Sequence, residues 1–386
     1  MNDASKDGQL QTCRDCCTET VALQFLTVLI LVCASSMKSL CLFVNAFLFA
    51  AFFQCINLLV LFPTAVYAQA VSKKTLIELR VALGRSVFND ETLSRNGDTS
   101  CATCHKPEHA FADDRKTSIG TGGSLGTRNA PSLLGASGNT AFFWDGRRTA
   151  LKDAVLDPFA NPTELGDKSL EDVLSRLKSN EKTFALFRAA FPGDSDCPNA
   201  RELADSLVAY IQSLRANNSQ YNQFRQGKPS MTAMERRGKY LFESVAKCTV
   251  CHEAGTNTAS FTDGQFHQSG IGVAEAAMLP RLAREVLSVK LTPSEIGARI
   301  LSDANWSNLG RFVISKKPND IGAFRTPSLR NVAVTAPYMH DGSISTLQEA
   351  VDYEIYYHSN SSGNPTNLTR NDRDAIVAFL GTLSDR

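Results

Sequence analysis

The segment "CATCH" at residues 101–105 returns as "CTVCH" at residues 248–252. Cys-x-x-Cys-His is the attachment spacing of c-type haem. Two sulfurs one helical turn apart form thioethers with the porphyrin vinyl groups, and the adjoining imidazole ligates the iron. Cys101, Cys104 and His105 make the first set, and Cys248, Cys251 and His252 the second. A zinc half-site or a redox dithiol could use one such pair. Two complete copies, with no further Cys-x-x-Cys downstream to close a zinc site, select two covalently bound haem c groups instead. Each histidine occupies one axial position of its iron, and whether the opposite one is filled decides the chemistry.

A chain of 386 residues is long enough for two ordinary domains, and a formal net charge of +1 gives no bias toward nucleic acid. Cysteine usage is equally informative. Of 11 cysteines, positions 13, 16, 17, 33, 41 and 55 precede residue 60, four lie in the motifs, and Cys197 remains. The folded part therefore has no disulfide framework, and Cys197 reads as a loop thiol. The early cysteines fall in or beside the apolar runs "VALQFLTVLILVCAS" (21–35) and "LCLFVNAFLFAAFFQCINLLVLF" (40–62). Ala68-Gln69-Ala70 has the small-x-small form of a signal-peptidase site, and Met37-Lys38 suits a true start with a basic flank. Residues 1–70 are thus expected to be leader and signal peptide, with an uncleaved membrane anchor as the alternative. Either way the rest is exported, which for a cleaved signal means a periplasmic protein.

Both motifs sit inside one larger frame. "GRSVF" (84–88) and "GKYLF" (238–242) precede them, and "VAYIQSL" (208–214) and "VAFLGTL" (377–383) follow. This duplication predicts two related haem domains in tandem, residues 71–220 and 231–386, each opened and closed by a helix. Thr75 with Glu78 and Thr232 with Glu235 read as capping boxes of the opening helices. Leu203, Leu207, Ile211 and Leu214 recur at helical spacing in one closing helix; Ile376, Phe379, Leu380 and Leu383 do so in the other. Residues 217–230 are polar without a helical period and read as a linker, and residues 276–305 as a helical insertion. The fold class is mainly α with long haem-wrapping loops.

With these residues in place, the sequence resembles the bacterial di-haem cytochrome c peroxidases and MauG-type enzymes. The resemblance rests on "FADDRKTSIGTGG", "RNAPSL", "FFWDGR", "NPTELG", "FTDGQFHQSG" and "GAFRTPSLRNVAVTAPYMHDGSISTLQEAV". It implies that the first haem meets hydrogen peroxide and the second stores or passes electrons. Trp144 of "FFWDGR" matches the tryptophan between the haems, and Glu164 of "NPTELG" the distal carboxylate. Asn129, with the carbonyls of Thr335 and Pro337, matches a calcium site between the domains; oxygen ligands suit that hard cation. His109, His267 and His340 are given structural or propionate-binding roles.

Two positions depart from the family pattern. Where reductively activated peroxidases carry a displaceable histidine, this chain has Thr121, a poor iron ligand, so the far side of the first haem is expected to be open. Where peroxidases place methionine and MauG-type enzymes tyrosine, the chain has Glu354. Met231, Met234, Met278 and Met339 are the methionines after residue 70, and none matches the ligand position. Glu354 is the favoured sixth ligand of the second haem; Tyr353, Tyr356, Tyr357, His358 or no protein ligand are the alternatives. The resemblance implies a peroxidase whose electrons come from a small redox protein (cytochrome c or cupredoxin), or from a side chain on a dedicated protein substrate. The competing reading is a di-haem electron-transfer cytochrome without peroxidase activity.

Overall fold

The two attachment motifs sit in matching helical frames, and each frame closes at a glycine. The computed structural model describes residues 73–385 except 168, 194–196, 255–259, 273–277 and 362–365, so the expected leader lies outside the described residues. The chain divides into a unit of residues 1–77 with 192–197 and a unit of residues 78–191 with 198–386; both motifs belong to the second. Secondary structure is mainly helical, and among the described residues no helix is long and apolar enough to cross a membrane.

Helix α1 (Lys73–Phe88) opens this half and includes Thr75 and Glu78. The turn α2 (Cys101–Cys104) holds the first cysteines, and α3 (Leu151–Ala154) and α4 (Asp157–Ala160) precede the Glu164 loop. Asn180 both ends α5 (Leu170–Ser179) and caps α6 (Glu181–Ala190), its side chain accepting from the Thr183 amide. Helix α7 (Ala200–Ser213) closes this half, capped by Asn199. Leu83, Val87, Phe159, Leu177, Phe187 and Leu203 meet in its core.

The stretch expected as a linker holds a helix, α8 (Gln220–Arg225), and buries Tyr221 in the second core. Six residues with one aromatic anchor are too few to show a period. Helix α9 (Ala233–Tyr240) opens on the capping box of Thr232 and Glu235 that the sequence predicts. Strand β1 (Phe266–Gln268) follows, then α10 (Leu279–Ser288) and α11 (Pro293–Ser302) within the stretch expected as an insertion, α12 (Ala304–Asn308) across its end and α13 (Phe312–Ser315) beyond it. These four helices share a core of Leu282, Val286, Ile300, Trp306, Leu309 and Phe312. Strand β2 (Ala323–Arg325) pairs antiparallel with β1, Phe266 opposite Arg325. Helices α14 (Leu347–Ser361) and α15 (Arg370–Gly381) end the fold.

Gly84 of α1 lies against α7, where a Cβ would come within 2.0 Å of the Ser206 carbonyl oxygen. Gly238 of α9 lies against α15, where a Cβ would come within 1.8 Å of the Ala375 carbonyl oxygen. Only a residue without a side chain permits such an approach. The next layer repeats as well. Phe88 meets Tyr210 at 5.1 Å between ring centroids, and Phe242 meets Phe379 at 5.3 Å. Phe88–Phe111 and Phe242–Phe261 are both 6.3 Å apart in edge contacts. The duplicated sequence pattern is therefore a helix crossing with its aromatic lock.

Candidate functional site

His105 ends α2, its amide donating to the Cys101 carbonyl. Its Nδ1 lies 2.9 Å from the Phe111 carbonyl oxygen, and Nδ1 of His252 lies 2.9 Å from that of Phe261. A carbonyl can only accept, so Nδ1 carries the proton and Nε2 keeps its lone pair for a metal. Desolvation holds both imidazoles below their usual pKa, in the neutral form that ligates. Both phenylalanines are left-handed, φ 60° and 51°. That conformation costs roughly 1–3 kcal/mol in a residue other than glycine and clusters at functional sites.

None of the motif cysteines is paired in a disulfide. Desolvation pushes Cys101 up to about 12, Cys104 to about 11 and Cys248 to about 12. A redox Cys-x-x-Cys pair shows the opposite, a depressed thiol. The residues fit haem c at both places: two sulfurs for thioethers and one oriented imidazole for iron.

Glu164 stands in the turn after α4. Its amide donates to the Asn161 carbonyl, and the Asn161 side-chain oxygen accepts from Thr163. Oε2 of Glu164 is shut off from solvent with no hydrogen-bond partner among the described residues. Desolvation pushes this carboxyl up to about 7, against the opposing charge of Arg147. Cys101 and Cys104 both feel its charge, so it stands beside the first motif. Thr121 is fully buried, and its hydroxyl donates to Asp98 at 2.6 Å. That hydroxyl is committed away from any iron.

Trp144 donates its indole N–H to the Asn129 carbonyl at 2.9 Å, and its own carbonyl accepts from the Arg325 amide of β2. Arg311 donates to the carbonyls of Asp145 and Gly146. Arg311 and the sheet thus hold the "WDGR" loop from the C-terminal half of the chain. The Asn129 amide N–H donates to the His340 carbonyl, which brings residue 129 beside the 335–340 segment. The Asn129 side-chain nitrogen donates to Arg115, leaving Oδ1 as the oxygen suited to a cation. Among the described residues, one group of His, Cys and acidic side chains converges within 4.8 Å: Cys251, Asp263 and His267. Cys251 is one of the second motif's cysteines, so this group belongs to that motif rather than to the 129/335–337 oxygens.

Glu354 lies on α14, 3.1 Å from His358 Nε2. Its charge reaches Cys248, Cys251 and His252, so it faces the second motif. Of its neighbours, Tyr353 donates its hydroxyl to the Ser269 carbonyl and Tyr357 packs against Gly270. His340 is buried, stacked on Phe324 at 3.7 Å and held down to about 2 by desolvation and Arg128. His267 pairs with Asp263 at 2.7 Å, and His109 stands 3.8 Å from Asp114.

Sequence reading missed Arg147 and Asp98. Arg147 is buried, paired with Asp145 at 2.9 Å, and lies over Phe143 at 3.4 Å. It sits inside the matched "FFWDGR", which was a usable signal. Asp98 stands 23 residues before Thr121 in an ordinary polar loop, and no pattern marks it.

Residues 78–230 match the di-haem cytochrome c peroxidase family. The cytochrome c peroxidase Ccp of Escherichia coli is 30% identical over 307 residues, 79% of this chain but 58% of that protein. The methylamine utilization protein MauG of Paracoccus denitrificans is 31% identical over 362 residues, 79% of this chain and 88% of MauG. A crystal structure of a MauG-like protein associated with microbial copper homeostasis aligns with a TM-score of 0.65 at 29% identity, over 80% of this chain and 90% of that one. Likeness of that extent is homology, and the chain belongs to the di-haem cytochrome c peroxidase and MauG family of oxidoreductases, whose two haem c groups its paired motifs fit.

Proposed function

We propose that the protein is an exported di-haem peroxidase that uses hydrogen peroxide to oxidise a protein partner. The observation that carries this reading is the half-buried Glu164 beside the first motif, whose Oε2 is shut off from solvent without a hydrogen-bond partner among the described residues. A pure electron carrier has no use for such a group. Haem bound through His105 supplies an iron at which the O–O bond of peroxide can be cleaved by two electrons. Glu164, as carboxylate, would take a proton from peroxide and return it to the departing oxygen, which leaves as water. The two electrons from the partner, with two protons from solvent, account for the second water. Residues 71–220 and 231–386 are the two haem domains, and the separate cores and repeated helix crossings support that division.

Trp144 connects the two haem sites; its loop is held by residues of both halves. Glu354 is the sixth ligand of the second haem, supported by its charge at His252. Asn129, Thr335 and Pro337 hold calcium through oxygen atoms. The partner is a cytochrome c, a cupredoxin, or a dedicated protein whose side chain is oxidatively modified. Thr121 and the missing ligand methionine favour the last. Export into the periplasm follows from the leader at residues 1–70, with anchoring as the alternative.

The test is direct. Oxidised holoenzyme, never reduced, should show a high-spin ferric resonance signal and react with peroxide at once. Two low-spin haems, silent until an electron is added, would overturn the open-site reading.

A further inference from the structure

We propose that Thr121 is a positioning residue for Glu164: together with Asp98 it locks the 118–124 loop onto the 161–167 loop and fixes where the Glu164 carboxyl stands. The inference rests on Glu164 being the proton-transfer group. Every part of Thr121 is engaged at this seam. Its amide donates to the Glu164 carbonyl at 2.8 Å. Its hydroxyl donates to Asp98 Oδ1 at 2.6 Å, and the next amide, of Gly122, donates to Asp98 Oδ2 at 2.9 Å. Its methyl group meets Gly166, where a Cβ would stand 2.6 Å from Cγ2. Gly166 has φ +75°, a conformation that suits glycine, so the socket beneath the methyl is built into the backbone.

The neighbouring contact is as close. A Cβ on Gly120 would fall 2.2 Å from the Thr163 oxygen and 2.5 Å from the Glu164 oxygen. The two loops therefore meet backbone to backbone on either side of Glu164. Thr121 is fully buried, so its hydroxyl needs a protein acceptor, and Asp98, though exposed, is that acceptor. The same hydrogen bonds hold the Asp98 carboxyl below its usual range, which keeps it an acceptor throughout neutral pH. Threonine alone meets both demands: serine lacks the methyl, valine lacks the hydroxyl, and β-branching fixes χ1 so that both point correctly. The other charges facing the seam are Arg95 against Gly166, the Asp167–Arg176 pair, and Arg147 and Asp157 near Glu164.

The test uses the di-haem holoenzyme with Thr121→Val, Thr121→Ser and Asp98→Asn, matched for haem content and ferric spectra. Two quantities are read: the rate with hydrogen peroxide, and the pH at which the infrared band of the protonated Glu164 carboxyl appears, identified by its loss in Glu164→Gln. Loosening the seam admits water, so in Thr121→Val and Asp98→Asn the band midpoint should fall from near 7 toward ordinary carboxylates. The peroxide rate should fall by up to on the order of 10²-fold, the cost of a misplacement of about 1 Å. Thr121→Ser, which keeps the hydroxyl, should lie between these and the native enzyme. An unmoved midpoint in Thr121→Val and Asp98→Asn overturns the proposal, even with a slower rate, because a general loss of structure would do the same. If Thr121→Val fails to fold, the exposed Asp98 position still decides. A native peroxide rate in Glu164→Gln would instead defeat the parent reading, while the band midpoint continues to report the seam.

Discussion

A carboxyl oxygen shut off from water without a partner is costly unless the group is neutral, and desolvation pushes Glu164 up to about 7. If it must be ionised to accept the peroxide proton, the reaction should quicken from about pH 5 to about pH 8. Glu164→Gln should flatten that limb and slow the reaction on the order of 10²–10⁴-fold, read by stopped-flow. Stability runs the other way. The folded-state pKa is raised, so this residue's contribution is complete below the ordinary carboxylate range and is lost as pH climbs through about 7. Chemical denaturation should therefore show Glu164→Gln gaining on the native enzyme between acid and alkaline pH. At the second motif, Glu354→Gln should raise that haem's reduction potential, because losing an anionic ligand disfavours ferric iron, and Glu354→Met should raise it further. An unchanged potential and spectrum in Glu354→Gln would return Glu354 to a surface carboxylate paired with His358.

Among the elements, the helix pairs α1–α7 and α9–α15 contribute the cores packed against the two motifs, and a glycine sits at each crossing. At Gly238 the obstacle is a backbone oxygen at 1.8 Å, which cannot swing aside as a side chain would. Gly238→Ala should cost about 1–3 kcal/mol or more through overpacking, seen as a lower thermal midpoint and reduced haem incorporation. A native midpoint would mean that the helices can separate freely. Helices α10–α13 have a direct bearing on the site. Thr127 donates to Ile300, Arg128 to Ser307, and Arg311 holds the Trp144 loop.

Across the molecule, the two haem sites communicate only if something rigid stands between them. Trp144 is tied through its indole to Asn129 and through its carbonyl to Arg325. Trp144→Phe should leave the initial reaction with peroxide intact and slow electron transfer between the two haem sites, followed by rapid-mixing spectroscopy at the second haem. Native turnover of an electron donor in this variant would remove Trp144 from the path.

Much of this was legible in the residues alone. The attachment spacing for haem c is local, so five residues suffice to propose a site, and they do so twice. The helical class and the repeated frame were legible for the same reason: periodicity and the Gly, Phe and aromatic positions of each half are short-range patterns. Glu164 and Trp144 were visible only through resemblance, since a lone loop Glu and a lone Trp carry no signature of their own. The tertiary structure alone decided what those residues experience. It turned the carbonyls of Phe111 and Phe261 onto the two imidazoles, buried Tyr221 in the stretch expected as linker, and brought Asp98 to Thr121. Proton affinity and ligand orientation depend on which distant backbone arrives alongside. That is fixed by burial and packing summed over the whole chain, and no short segment encodes it.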